Sequence, residues 1–326
     1  MIRRSVIPYF AGAAIAAVVL SGCSGGPASG STSPAGSGPK TIYLIQPPQT
    51  DAFFVAEADA ATAAAKELGY EMVVVSHGED PQKQSQLFDT ALVAGAVAII
   101  VDPAQAAPAT VDAQKAKEKG VPTFVIDREI SKTGVAVAQI LSNSIQCANL
   151  SAEAFATAMG GSGKYLELTG QAATAEAATR STGFHQVLDQ MPGLVLAAQE
   201  SADWNQEKGF SKTESVLRAH PDIKGIITGS DVMALGAIAA LKAAGKTDVV
   251  VAGFDGNPDM VAAIKSGSAV ATVLQPIVLE AQEAVRQADV FIQTGKPAEK
   301  DEKQLLDCQL LNKDNVANYG DWQLKG

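Results

Sequence analysis

The stretch "VVVAGFDGNPDM", Val249–Met260, runs without a polar break for six residues and then stops at an acid followed by Gly, Asn and Pro. An unbroken apolar run of this length reads as a strand covered on both faces. Taken alone, Asp255 reads as turn or helix-cap chemistry. The same wording recurs along the chain. Candidate strands lie at residues 41–46, 71–76, 97–102, 123–127, 136–142, 164–170, 194–201, 225–230, 249–255 and 270–275. Between them the apolar residues take helical spacing. In "IVLEAQEAVRQADVFIQTGKP", Ile277, Ala281, Ala284, Val285, Ala288, Phe291 and Ile292 fall on one stripe, Gly295 closes the helix and Pro297 prevents its continuation. Strands apolar on both faces and joined by helices imply an α/β fold of two doubly wound parallel-sheet lobes built from βαβ units. In open sheets of this kind ligands sit beyond the carboxyl ends of the strands. Six candidate strands end in polar residues: Gln46 with the loop to Asp51, then Asp102, Asp127 with Arg128, Ser230 with Asp231, Asp255, and Gln275. Repeated endings of this type point to a shared rim.

The totals narrow the function. A length of 326 residues with 47% apolar content supports two lobes. The 25 basic residues against 35 acidic ones give a net charge of -10, which disfavours nucleic acid and anionic lipid as partners. His77, His185 and His220 lie far apart with no metal-ligand spacing, so each is expected as a surface or helix residue; no metal or cofactor is expected. "DGNPD" starts like an EF-hand loop, but Met260 and Ser266 occupy the positions that need Gly and Glu. "GGSGKY" lacks the first Gly and the Ser or Thr of a phosphate loop. No Ser-His-Asp grouping stands out, and no enzyme activity is expected.

Residues 1–23, "MIRRSVIPYFAGAAIAAVVLSGC", have a basic start, a short apolar stretch and small residues before a cysteine, which reads as an export signal. The ending Leu20-Ser21-Gly22-Cys23 resembles the lipobox of bacterial lipoproteins, implying cleavage before Cys23, acylation of its thiol and retention on the outer face of the membrane. Residues 24–39 are nearly all Gly, Ser and Pro and read as a flexible tether of about 20–25 Å reach. With Cys23 acylated, Cys147 and Cys308 remain in an oxidising compartment. Cysteine arithmetic favours a bridge between them over two buried thiols.

Over residues 40–315 the chain resembles the periplasmic binding proteins of the ribose-binding type, receptors of bacterial ABC sugar importers. The resemblance rests on "DAFFVAEADAATAAAKELGY", "PTFVIDRE", "TRSTGF", "SDVMALGAIAALKAAG" and "VVVAGFDGNPD". It implies three chain crossings, near residues 142–143, 275–276 and 304–306. Residues 40–142 with 276–304 would form the first lobe, and residues 143–275 with 305–326 the second. It further implies that Phe53 and Phe54 supply an aromatic wall from the first lobe and Trp204 the opposing one. Asp127, Arg128, Arg180, Asp255 and Gln275 match the family's polar ligands, with Asp51 beside the first aromatic and Asp231 in the "TGSD" turn. Asp127 and Asp255 balance Arg128 and Arg180, which implies a neutral ligand. Two departures argue against ribose itself: Ser230 replaces an amide, and Asp102 replaces an Asn near the mouth. The wording "ATRSTGF", "KQLLDCQLLNKDN" and "VLQP" is similar to members that take small polyols, tetritols or pentitols. The expected function is capture of a neutral monosaccharide or small polyol by a monomer whose lobes close and which delivers the ligand to ABC permease subunits. The alternative is a sensor feeding a chemoreceptor or kinase.

Overall fold

A computed structural model describes residues 40–172 and 174–325. The expectations for the export signal, Cys23 and the tether fall on residues 1–39 and lie outside the described residues. No helix among the described residues is long and apolar enough to cross a membrane.

The first sheet begins with β1 (Thr41–Gln46), α1 (Ala52–Glu67), β2 (Glu71–Ser76), α2 (Pro81–Val93), β3 (Ala98–Val101), α3 (Ala106–Glu118), β4 (Thr123–Ile126) and β5 (Ala138–Ser142). The second repeats the plan with α4 (Ser144–Ala158), β6 (Gly163–Thr169), α5 (Ala175–Leu188), β7 (Leu194–Ser201), α6 (Gln206–Ala219), β8 (Ile223–Thr228), α7 (Asp231–Ala243), β9 (Val250–Ala252), α8 (Pro258–Ser266) and β10 (Ala271–Leu274). Helix α9 (Ile277–Thr294) returns to the first sheet, β11 (Lys303–Leu306) joins its edge beside β5, and β12 (Gln309–Asn312) joins the second sheet beside β10. The strand orders are β11-β5-β4-β3-β1-β2 and β12-β10-β9-β8-β6-β7. Each therefore carries the doubly wound 2-1-3-4-5 order with one added edge strand, and both sheets change winding direction beside their first strand.

Both faces of each sheet are apolar because helices cover both. In the first sheet Ile42, Leu44 and Ile100 pack under α1 and α9, while Ile99, Val101 and Val125 face α2 and α3. Successive side chains on a strand point to opposite faces, so a strand buried twice reads as a continuous apolar run. Alanines 58, 61 and 65 of α1 meet alanines 281, 284 and 288 of α9, and these small residues let the two helices share one face. Gly295, at φ 69, ends α9 in the left-handed region, and the stripe from Ile277 to Ala288 is buried.

Two edge strands escaped the sequence reading. β11 and β12 are four residues each, and β12 runs antiparallel to β10, so the second sheet is not wholly parallel. Because β11 still pairs with β5 through Leu306, the third crossing lies at residues 307–308, not 304–306. The Asn143 side chain donates to Asp307 Oδ1 at 2.8 Å, lacing the first and third crossings together. Cys147 and Cys308 are joined by a disulfide with their Cα atoms 5.1 Å apart, which fastens the third crossing to α4.

Candidate functional site

A cleft of about 210 Å³ lies between the carboxyl ends of the two sets of strands. The first lobe lines it with Asp51, Phe53, Phe54, Glu79, Asp127 and Arg128. The second lobe adds Gln171, Glu176, Arg180, Asp203, Trp204, Ser230, Asp255 and Gln275. Ten of the twelve candidate residues therefore meet in one place, and Asp102 and Asp231 do not line it.

Asp51 caps α1 by accepting the Phe53 N–H at 3.0 Å. The same Oδ1 accepts from the Asn257 amide of the other lobe at 3.3 Å. The lobes also touch where Phe53 packs edge-on against Trp322, ring centroids 5.6 Å apart. Trp322 sits at the tip of a tight hairpin of Tyr319–Gly320 and Gln323–Leu324. Phe53 is thus both cleft wall and interlobe core, whereas Phe54 is half-buried with the Arg128 guanidinium 5.6 Å above its ring.

Arg180, on the second turn of α5, spans the floor of the second lobe. Its Nη1 donates to Gly229 O at 2.7 Å and to Asp255 Oδ1 at 3.2 Å, and its Nη2 donates to Gln275 Oε1 at 3.4 Å. Gln275 in turn donates to Asp255 Oδ1 at 2.9 Å. The guanidinium lies 4.0 Å from the Phe254 ring centroid and 5.3 Å from that of Trp204, and its Nε is buried with no partner among the described residues. Asp255 has a φ of 129, which strains a non-glycine residue, and burial pushes its carboxyl up to about 7 although Arg180 pulls the other way.

Asp231 explains how that strained turn is held. It is fully buried behind the cleft, where Oδ2 accepts the N–H groups of Gly256 at 2.9 Å and Asn257 at 2.7 Å, and Oδ1 accepts the Thr272 hydroxyl at 2.7 Å. Its own N–H donates to Asp255 Oδ2 at 3.1 Å. The expectation that Asp231 faces the ligand is corrected on this ground: its acceptor oxygens are consumed by the loop that presents Asp255. Ser230 does reach the cleft while capping α7.

Asp102 is corrected in the same way. It lies fully buried behind Arg128, with Oδ1 3.6 Å from the guanidinium Nε. Arg128 also makes a two-pronged pair with Glu79 at 2.9 and 3.2 Å, and its Nε is 3.7 Å from Asp127 Oδ2. Burial opposes the Arg128 charge, but Asp102, Glu79 and Asp127 outweigh it and hold the guanidinium protonated. His77, expected at the surface or in a helix, is instead buried in a loop: its Nε2–H donates to Asp102 O at 2.9 Å while Nδ1 accepts from Glu79 N–H. Burial lowers its pKa, and this pattern keeps it neutral.

The balanced set of two acids and two arginines is also corrected. Glu79, Glu176 and Asp203 join the lining, and Glu57, Asp102 and Glu280 lie buried near it. Burial raises the pKa of Glu57, Asp102 and Glu176, and that of Glu280 to about 8, so part of the acidic surplus is neutralised by protons. Arg128 and Arg180 each face carboxyl groups, and the surplus of acids around them disfavours an anion in the cleft.

A pH dependence follows. A carboxyl whose native pKa exceeds its unfolded value binds more protons in the native state, so stability is lost as pH rises through the native pKa. His77, whose native pKa is lowered by burial, opposes this trend until the unfolded histidine is neutral as well. His185 acts in the same sense as the carboxyls, because hydrogen bonds to Asp189 and Glu167 raise its pKa against the effect of burial. The urea midpoint is expected to fall between about pH 6.5 and 8, the upper end of the range, opening near the ordinary carboxyl values, over which Asp255 and Glu280 keep extra protons in the native state. A midpoint that rises across this window contradicts the assignment.

Comparison with known proteins matches residues 42–297 to the periplasmic binding protein domain family, and the chain belongs to it. It is 50% identical over 284 residues to a D-apiose import binding protein of Actinobacillus succinogenes, covering 87% of this chain and 91% of that one. It is 34% identical over 235 residues to the ribose import binding protein of Escherichia coli, covering 72% and 79%. Among solved structures, an ABC transporter solute-binding protein from Bacillus halodurans with bound myo-inositol superposes with a TM-score of 0.81 at 26% identity, covering 89% of this chain and 100% of that one.

Proposed function

We propose that this chain is the exported receptor of an ABC sugar importer, that its ligand is a single neutral sugar of the pentose class, and that D-apiose is that sugar. The observation that carries the reading is the cleft itself, where Phe54 and Trp204 stand as aromatic walls beside Arg180, Asp255, Gln275 and Asp127. Sugar C–H faces suit aromatic surface, and sugar hydroxyls both give and accept hydrogen bonds. The volume of about 210 Å³ falls below the roughly 300–1,000 Å³ that holds drug-sized ligands, which favours one small ring over an oligosaccharide. The matched arginines and surplus acids disfavour uronic acids and sugar phosphates. The half-identical relative that imports D-apiose selects among the neutral pentoses.

In this reading the ligand bridges the lobes, shifts the population toward the closed form and presents that form to a permease. Acylation of Cys23 would keep a monomeric receptor on the outer face of the membrane, with Leu20-Ser21-Gly22-Cys23 as its support. The test is a thermal-shift screen of the detergent-purified full chain against D-apiose, D-ribose, xylitol, myo-inositol and D-glucuronate. Since a ligand at 100 times its Kd stabilises by about 2.7 kcal/mol, D-apiose is expected to give the largest shift and D-glucuronate none. A shift only with the acid rejects the reading.

A further inference from the structure

Two fully buried carboxyl groups, Glu57 and Glu280, take no part in lining the cleft. Glu280 stands in the first turn of α9, just beyond the second crossing. Its oxygens reach two other parts of the first lobe. Oε2 accepts the Asp127 backbone N–H at 3.0 Å, and Oε1 accepts the Ser142 hydroxyl at 2.7 Å. Asp127 has a φ of 55, in the left-handed region that costs a residue with a side chain, and it lines the cleft directly. Ser142 is the last residue of β5, at the first crossing. Glu57 lies on α1 one turn after Phe53, and neither of its oxygens has a hydrogen-bond partner among the described residues.

We propose that Glu280, backed by Glu57, is the positioning residue of the sugar site: it fixes the left-handed turn that presents Asp127 and ties that turn to the chain crossings at Ser142 and Pro276. The inference rests on the receptor reading above. The charged groups around the pair are Asp127 and Arg128 from the turn after β4, Asp102 from the end of β3, and Arg180 from α5. Burial is the main cause of the raised pKa of both glutamates, and Asp127 adds to it. Burial raises the pKa of Asp127 as well, while Arg128 and Arg180 pull it back toward the charged form, so protonation of the glutamate pair limits the negative charge at the turn. Alkaline pH ionises Glu280 beside Asp127, and like charges at a dry site work against the turn and hence against capture of the sugar.

The test is calorimetric titration of the full chain in detergent with D-apiose from pH 6 to 9.5. The wild-type Kd is expected to change around pH 7, where Asp255 titrates in every variant, and to rise further above about pH 8 as Glu280 titrates. Glu280→Gln keeps an acceptor but cannot ionise, so the alkaline rise should disappear while affinity at pH 7 changes little. Glu280→Ala strands the Asp127 N–H and should raise Kd at pH 7 by about tenfold or more. If that variant fails to fold, Ser142→Ala, which removes only one anchor, is expected to weaken binding severalfold with an unchanged circular dichroism spectrum. Wild-type Kd values in folded Glu280→Ala or Ser142→Ala, or an unaltered alkaline rise in Glu280→Gln, overturn the positioning role. Absence of binding by the wild type at any pH overturns the receptor reading and this role with it.

Discussion

Replacing Arg180 with lysine is expected to weaken sugar binding about a hundredfold or more, and replacing it with methionine to abolish measurable binding. The guanidinium does three jobs that an ammonium cannot do together. It bonds Gly229 O, Asp255 and Gln275 in one plane, it stacks 4.0 Å from the Phe254 ring centroid, and it keeps one N–H buried at the cleft floor. Lysine retains the charge but not the fork. Methionine leaves Asp255 buried beside Asp231 with no counter-charge, a loss of about 3–5 kcal/mol for a broken buried pair. Arg180 pulls the Asp255 pKa down, so its removal raises it, and the loss of thermal stability should be larger at pH 8.5 than at pH 6. Titration calorimetry and thermal melts at both pH values read the two effects. Unchanged affinity in Arg180→Lys removes Arg180 from the site.

The layered α/β fold was legible because it is written in local pattern. Runs such as Ala98–Val101 and Thr123–Ile126 are buried at every residue, and no other environment gives an unbroken apolar strand between amphipathic helices. The opening stretch also shows the limit. Regular pairing in "VVVAGFDGNPDM" ends at Ala252, and Asp255 is held by a single bridge to Leu274 and by the backbone N–H of Asp231, which donates to its carboxylate. Asp231 and Asp255 both follow strands and look alike in sequence. What separates them is Gly253, where a Cβ would collide with Asp231 Oδ1, so the absent side chain decides which acid turns inward. That choice depends on three dimensions and no pattern records it. The edge strands β11 and β12 were missed for a related reason: Lys303–Leu306 has no fully buried residue, so its composition resembles a loop. Glu57 and Glu280 did leave a signal. Glu280 falls three residues after Ile277, on the buried stripe of α9, and a carboxyl in such a place asks for a partner or a proton.

Trp204 depends on a glycine that sequence reasoning passed over. The indole lies over Gly170 at the end of β6, where a Cβ would overlap the six-membered ring, and the next small residue beneath it is Gly229. Gly170 does not have a positive φ, so its backbone accepts alanine, and the cost of a substitution there is the collision alone. Asp203 and Trp204 are both in the left-handed region, at φ 50 and 57, and the Ser201 hydroxyl lies 2.8 Å from Gly170 O and 2.7 Å from Asp203 Oδ1, with one proton to give to either. These contacts brace the turn, and Trp204 lines the cleft, so the ring is expected to yield toward the ligand. Gly170→Ala is therefore expected to push the indole into the space of the sugar and weaken binding by about 30- to 150-fold, the equivalent of about 2–3 kcal/mol of lost aromatic burial. The melting temperature of the free protein should stay near that of the wild type, because Trp204 is only partly buried there. Trp204→Ala should lose a similar amount of affinity by removing the wall instead of misplacing it. The two changes act through one ring, so Gly170→Ala should cost nothing further in a Trp204→Ala background. Additive losses in that cycle would show that Gly170 serves the strand and not the ring, and the aromatic wall of the second lobe would have to be sought elsewhere.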